Sequence, residues 1–109
     1  MKRRVVVTGV GVISPLGVGK DVFWEGLKNG KSAISYISKF PTDDFSTKIA
    51  GEVKDFNPED FIDRKEVRRL DRFSQFAVAA TKLALEDASW NPNEEEKENT
   101  AVIVSSGIG

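Results

Sequence analysis

Near the N-terminus, residues 5–11 read VVVTGVG. The three valines form a continuous β-branched run, which is typical of a strand buried on both faces of a sheet. Residues 101–104 read AVIV and form a second run of this kind, which leads into SSGIG at 105–109. Together the two runs predict an α/β fold in which buried parallel strands belong to a mixed sheet covered by helices.

Two stretches between these runs carry strong helix signals. The first predicts a helix over about residues 21–28, with Asp21 as its N-cap and Asn29-Gly30 as its end. Apolar residues then recur at steps of three and four from residue 72 to residue 88, which predicts a longer helix capped by Asp71 and with a small-residue face. The residues expected to be buried on the first helix are Phe23, Trp24 and Leu27.

The remaining segments carry weaker signals. Residues 35–46 are rich in turn formers and predict an irregular excursion, whereas residues 48–53 predict a short strand. Asn57 followed by Pro58 predicts the start of a helix. The acidic run EEEKE at residues 94–98 predicts a solvated loop.

The composition excludes several kinds of chemistry. The 109 residues include 16 basic and 17 acidic side chains, for a net charge of −1, and they contain no cysteine and no histidine. This chain therefore has no thiol or imidazole for catalysis, disulfides or metal binding, and no cofactor is expected. No apolar run approaches the ~18 residues of a membrane helix. The chain is expected to be cytoplasmic, with no nucleic-acid or membrane partner.

The second valine-rich run lies close to Gly109. An uncovered apolar strand is an aggregation hazard, so more chain is expected to follow. We therefore interpret residues 1–109 as an incomplete N-terminal segment of a larger domain.

The glycines at positions 9 and 11 allow two interpretations. A dinucleotide-binding turn also places glycines after a buried strand, but its third glycine falls here at Ser14, and Pro15 follows directly. A tight structural turn fits these residues better.

A basic cluster is formed by Arg64, Lys65, Arg68, Arg69 and Arg72. On one continuous helix these five positions would lie within an arc of roughly 140°, with Val67 and Leu70 opposite. One interpretation is a solvated face, partly neutralised by neighbouring acids. The other is a docking site for an acidic protein, which five clustered positive charges would attract.

The C-terminal segment, residues 105–109, joins two serines to a glycine pair around Ile108. Glycines at the end of a buried strand suit close approach of a ligand to the backbone. Ser105 and Ser106 could act as nucleophiles only beside a base, and this chain offers no histidine.

In order along the chain, these features resemble the opening of an elongating β-ketoacyl–acyl-carrier-protein synthase, with the synthase II variant closest. The residues that carry the resemblance are VVVTGVG at 5–11, SPLG at 14–17, Trp24, Leu27, Gly30, SAI at 32–34, RKE at 64–66, Arg68, Arg69, DRFSQFA at 71–77 and SGIG at 106–109.

The resemblance implies a thiolase-like fold with α-β-α-β-α layers that works as a homodimer. In such enzymes an acyl chain passes from carrier protein to a cysteine, and malonyl-carrier protein loses carbon dioxide. The resulting carbanion then attacks the acyl thioester. The cysteine and two histidines of the family lie beyond residue 109, so this chain alone is expected to be inactive.

The resemblance also implies roles for individual residues. The positions matching Lys65, Arg68 and Arg69 meet the acidic helix of acyl carrier protein, and Arg64 and Arg72 would extend that docking face. The position matching Ile108, together with Gly107, lines the acyl tunnel near the dimer interface.

Three alternatives remain open at this point. The chain could begin a polyketide ketosynthase, which would share every motif. It could belong to a ketosynthase-like partner subunit that lacks the nucleophile and shapes chain length. It could also be a free-standing module that binds an acidic protein through the basic cluster.

Overall fold

The structure is a computed structural model that describes residues 1–109. The chain forms two compact units: residues Met1–Gly11 together with Asn57–Gly109, and residues Val12–Phe56. No helix combines the length and the apolar character that a bilayer crossing requires. The elements in chain order are β1 (Ile13–Ser14), β2 (Gly17–Val18), α1 (Lys20–Lys28), β3 (Ile34–Tyr36), β4 (Ile49–Gly51), a 3₁₀ turn (Pro58–Asp60), α2 (Arg64–Val67), α3 (Arg72–Asp87) and α4 (Glu94–Glu98).

The unit Val12–Phe56 contains two antiparallel hairpins and α1. β1 pairs with β2 around a turn at Pro15 and Leu16, and the Leu16 side chain lies against Gly26 of α1. α1 has the predicted extent and ends at Asn29, but its N-cap is Gly19, so Asp21 lies inside the first turn.

Burial along α1 differs from the prediction. Gly26 is its buried residue, whereas Trp24 is 59% exposed and Leu27 is also exposed. Phe23 is half-buried. The short β1–β2 hairpin covers only the face of α1 that carries Gly26, so the larger side chains on the other faces stay in solvent.

The second hairpin joins β3 to β4, with Tyr36 opposite Ile49. β4 confirms the strand predicted over residues 48–53. β3 lies partly in the stretch predicted to be irregular, because a three-residue strand carries too little periodicity to stand out from turn-forming neighbours.

The other unit is built around α3, which confirms the long helix predicted over residues 72–88. Gly9 and Gly11 pack against its small-residue face. A Cβ atom added to Gly11 would lie 2.0 Å from the carbonyl oxygen of Ala80, and one added to Gly9 would lie 2.3 Å from that of Ala84. The glycines therefore serve close chain packing, and no strand–helix–strand unit surrounds them as dinucleotide binding would require.

Two further hydrogen-bonded features complete this unit. The backbone N–H of Val10 donates to the Asp87 carboxylate over 2.9 Å, which ties the glycine-rich segment to the end of α3. Residues Glu94–Glu98 form α4 rather than the predicted loop. The helix is held by a reciprocal capping box between Asn93 and Glu96, a signal that the spacing N-x-x-E carries in the sequence.

The two valine-rich runs do not form strands in this structure. Residues 5–7 and 101–104 have no ladder partner, and Val5 and Ile103 are among the most exposed apolar side chains. A strand needs a neighbour to receive its N–H and carbonyl groups, and residues 1–109 supply none for either run. Both sheets that do form are antiparallel pairs, so the mixed sheet with parallel strands is not found here.

Candidate functional site

The basic cluster lies on two helices and the turn between them, rather than on one helix. α2 ends at Val67, Arg68 is its C-cap, and α3 begins only at Arg72. The N–H of Arg69 donates to the carbonyl of Glu66 over 2.9 Å, a bond of the tight 3₁₀ type. Asp71 is then extended at φ −65° and ψ 159°. The five cations therefore do not lie on one continuous helix, and the prediction is wrong in that respect.

The five cations of the basic cluster differ in their local partners. Arg64 faces Glu59 at 3.8 Å, and Arg69 faces Glu66 at 3.4 Å. The Arg72 guanidinium lies 4.9 Å from the ring centroid of Phe76, a cation–π distance. The neutralisation predicted for a solvated face thus applies to Arg64 and Arg69.

Lys65 and Arg68 are different, because both are exposed and neither forms a salt bridge. No acidic side chain of this segment lies within salt-bridge distance of either cation. A partner carboxylate could pair with these two cations without first displacing an internal one.

A buried glutamine holds the backbone that carries Arg68 and Arg69. Gln75, only 8% exposed, donates its side-chain amide to the carbonyl of Val67 over 3.2 Å and to that of Leu70 over 3.1 Å. These carbonyls bracket the two arginines. This role of Gln75 is not visible in the sequence, since a lone glutamine on a helix does not reveal which backbone groups it reaches.

The C-terminal segment lies beside the first turn of α3. Gly109 packs against the Phe73 ring so closely that an added Cβ would lie 2.8 Å from Cε1. The Ser106 hydroxyl donates to the carbonyl of Ile108 over 3.0 Å. Ile108 itself is 93% exposed, and nothing lies within 4 Å of the position that a side chain at Gly107 would occupy. Residues 1–109 thus build no tunnel wall around Ile108.

A polar groove of about 440 Å³ lies next to the basic cluster. Lys82 crosses it and donates to the carbonyl of Phe61. Several carboxylates line the groove, so it does not suit an anion. Its lining residues are Glu59, Asp60, Phe61, Ile62, Asp63, Arg64, Glu66, Val78 and Lys82.

One carboxylate in the unit Val12–Phe56 is nearly enclosed. The Glu52 side chain is 6% exposed and accepts hydrogen bonds from the N–H and hydroxyl of Ser38 and from the N–H of Lys39, over 2.9–3.2 Å. Burial raises the pKa of Glu52, but the bonds from Ser38 and Lys39 and the charge of Lys54 outweigh it, so the pKa lies below its ordinary value. This arrangement also went unpredicted.

Comparison with known proteins identifies the family. The sequence model of the family described as "Beta-ketoacyl synthase, N-terminal domain" matches residues 2–109. The chain is 44% identical to 3-oxoacyl-[acyl-carrier-protein] synthase 2 of Synechocystis sp., over 99% of this chain and 26% of that protein. It is 43% identical to the protein of the same name from Staphylococcus aureus, over 98% of this chain and 26% of that protein.

A solved structure agrees with these matches. The chain superposes on the ishigamide ketosynthase/chain length factor with a TM-score of 0.76 and 40% identity, covering 84% of this chain and 23% of that one. The chain spans about a quarter of the length of the curated relatives it matches. With its motifs in family order and the family match running through residues 2–109, the chain belongs to the β-ketoacyl synthase N-terminal domain family.

Proposed function

We propose that this chain is the N-terminal part of a β-ketoacyl-acyl-carrier-protein synthase II, an acyltransferase that extends acyl chains with malonyl-carrier protein in fatty-acid elongation. The 44% identity to a synthase 2 over nearly the whole chain supports this substrate class. Because the chain has no cysteine or histidine, the nucleophile and its assisting bases come from the rest of the longer protein. The segment alone is inactive and uses no cofactor of its own.

The contribution of this segment is a docking face for acyl carrier protein, formed by the basic cluster. The observation that carries the proposal is the pair of exposed cations without ion pairs, Lys65 and Arg68. Both are available to the carboxylates of an acidic helix, and Arg69, Arg64 and Arg72 add positive charge around them. Such a face speeds association and fixes the orientation of the partner.

The test reverses the two free charges in the synthase that contains this chain. The double variant K65E/R68E should weaken carrier-protein binding by roughly tenfold or more, because each change replaces attraction with repulsion. Its affinity should also depend less on salt. Titration calorimetry at two ionic strengths measures both effects.

Lys31→Glu serves as the matched control, since Lys31 is also exposed and lies outside the basic cluster. The control should bind like the unmodified synthase. Unchanged affinity in K65E/R68E would refute the docking role.

We also propose that Ile108 and Gly107 form part of the acyl tunnel once the longer protein covers them. The exposure of Ile108 in this segment leaves its side chain available for such a wall. Ile108→Ala in the synthase should raise the share of long-chain products, because a smaller side chain opens the tunnel. Chromatography of the acyl products measures this, and an unaltered product profile would remove Ile108 from the tunnel.

We further propose a fold for the longer protein. In the longer protein, the runs at 5–7 and 101–104 become buried strands of a mixed sheet in a thiolase-like α-β-α-β-α fold. Residues 1–109 are then an N-terminal segment of one ketosynthase domain. The whole enzyme is a cytoplasmic homodimer, and neither nucleic acid nor membrane is among its partners.

A second candidate is a non-catalytic partner subunit that shapes chain length. The likeness to a structure named ketosynthase/chain length factor favours it. Sequencing through the nucleophile position separates the two candidates, since a cysteine there supports the synthase and its absence supports the partner subunit.

A further inference from the structure

We infer that Gln75 is a positioning residue for carrier-protein docking, which fixes the Arg68–Arg69 backbone so that the docking cations stand in one arrangement. The inference rests on the proposed function. Gln75 would thus contribute to docking although it is buried, carries no charge and would not touch the partner.

The turn needs such support because α2 is short. A helix of four residues forms few internal hydrogen bonds, and isolated helices of this length are unstable. The last carbonyls of any helix also lack intrahelical donors. Val67 is the last residue of α2, and its carbonyl otherwise accepts only a long bond of 3.4 Å from the N–H of Leu70.

Gln75 supplies the missing donors from a rigid element. It lies within the 16-residue helix α3, and its amide nitrogen bonds the carbonyls on both sides of Arg68 and Arg69. The backbone N–H of Gln75 bonds the carbonyl of Asp71 over 3.0 Å, which fixes the start of α3. One buried side chain therefore holds both ends of the turn.

Order in this turn matters for binding. A flexible turn must lose conformational freedom when its cations engage a partner, and a pre-ordered turn avoids that loss. Removing the amide donors of Gln75 should weaken docking even though every charge of the basic cluster remains.

The test uses Gln75→Met in the synthase, because methionine keeps the length of the side chain and removes both donors. The KM for an acyl group on carrier protein should rise roughly five- to tenfold, the scale expected for two lost buried hydrogen bonds. The KM for the same acyl group on pantetheine should not change, because that substrate lacks the protein that docks.

Thr81→Val is the matched control. It removes a side-chain-to-backbone bond on the same helix, from Thr81 to the carbonyl of Ala77, at a site away from the turn. Neither KM should change in this variant. If Gln75→Met folds poorly, Gln75→Leu provides the same comparison, since leucine is also uncharged and also removes both donors.

The outcomes separate this inference from the proposed function. If K65E/R68E leaves the KM for acyl-carrier protein unchanged, the docking proposal itself fails. If charge reversal raises that KM and the Gln75 variants do not, only the positioning role is wrong. Equal changes in the KM for both substrates would also overturn it, because they would indicate a general structural defect.

Discussion

At the scale of single residues, the absence of side chains at two positions determines how closely the chain approaches α3. Gly9 and Gly11 lie against carbonyl oxygens of that helix. A side chain added at either glycine would clash with these oxygens, because helix backbone cannot shift as easily as the end of a flexible side chain. This explains why the glycine-rich stretch resembles a nucleotide-binding turn without being one. Glycine permits close approach, and here the group approached is a helix rather than a phosphate.

Gly11→Ala should therefore destabilise the protein by about 1–3 kcal/mol or more, the usual cost of overpacking. Thermal unfolding measures the change. Gly26→Ala is the control, because an added Cβ there meets only the flexible Leu16 side chain, at 3.0 Å, and alanine is the better helix former by about 1 kcal/mol. Equal loss of stability in both variants would contradict the backbone-contact explanation.

At the scale of secondary structure, Glu52 links the residues after β3 to the end of β4. Its carboxylate accepts bonds from Ser38 and Lys39 across the hairpin. The pKa of Glu52 is lower in the folded protein than its ordinary value of 4.5. The ionised form therefore stabilises the hairpin at neutral pH, and this contribution is lost as the pH falls through the folded pKa.

Glu52→Gln should lower the urea midpoint of unfolding at about pH 7, and the difference from the unmodified protein should shrink as the pH is lowered stepwise through the depressed pKa of Glu52. Glu98→Gln is the matched change, at an exposed glutamate without a salt bridge. Glu98→Gln should change the urea midpoint little at any pH measured. A gap for Glu52→Gln that stays constant with pH would show that ionisation of Glu52 is not what stabilises the hairpin.

Prediction from the sequence worked best where an element is long and periodic. α3 and α1 follow from their apolar spacing and end signals. The break between α2 and α3 was missed, because five cations at helical spacing look continuous unless the contribution of Gln75 to the turn is known. Contacts between residues distant in sequence, such as Ser38 with Glu52, leave no local pattern.

At the scale of the whole molecule, the largest difference between sequence and structure concerns the valine-rich runs. Their β-branched residues are suited to a buried sheet, yet they lie exposed and unpaired among residues 1–109. The residues of a segment indicate whether it prefers a buried sheet, whereas its strand pairing depends on strands elsewhere in the chain. The proposed longer synthase would provide those strands, since residues 1–109 match only about a quarter of the relatives' length.

Amide exchange tests this directly in the longer synthase. The N–H groups of residues 5–7 and 102–104 should exchange slowly, as sheet amides do, compared with the N–H of Asn91, which lies outside any helix or strand. Rapid exchange at both valine-rich runs would rule out the proposed mixed sheet while leaving the family assignment intact.

The contact between Gly109 and the Phe73 ring has a consequence for how the two proposed sites are spaced. Phe73 directly follows Arg72, a member of the basic cluster, so the segment that carries Ile108 contacts the same first turn of α3 that carries Arg72. A larger residue at position 109 would clash with the Phe73 ring and would displace that segment from the helix. In the proposed synthase, glycine at position 109 would therefore let the segment that carries Ile108 lie close to the helix that carries Arg72.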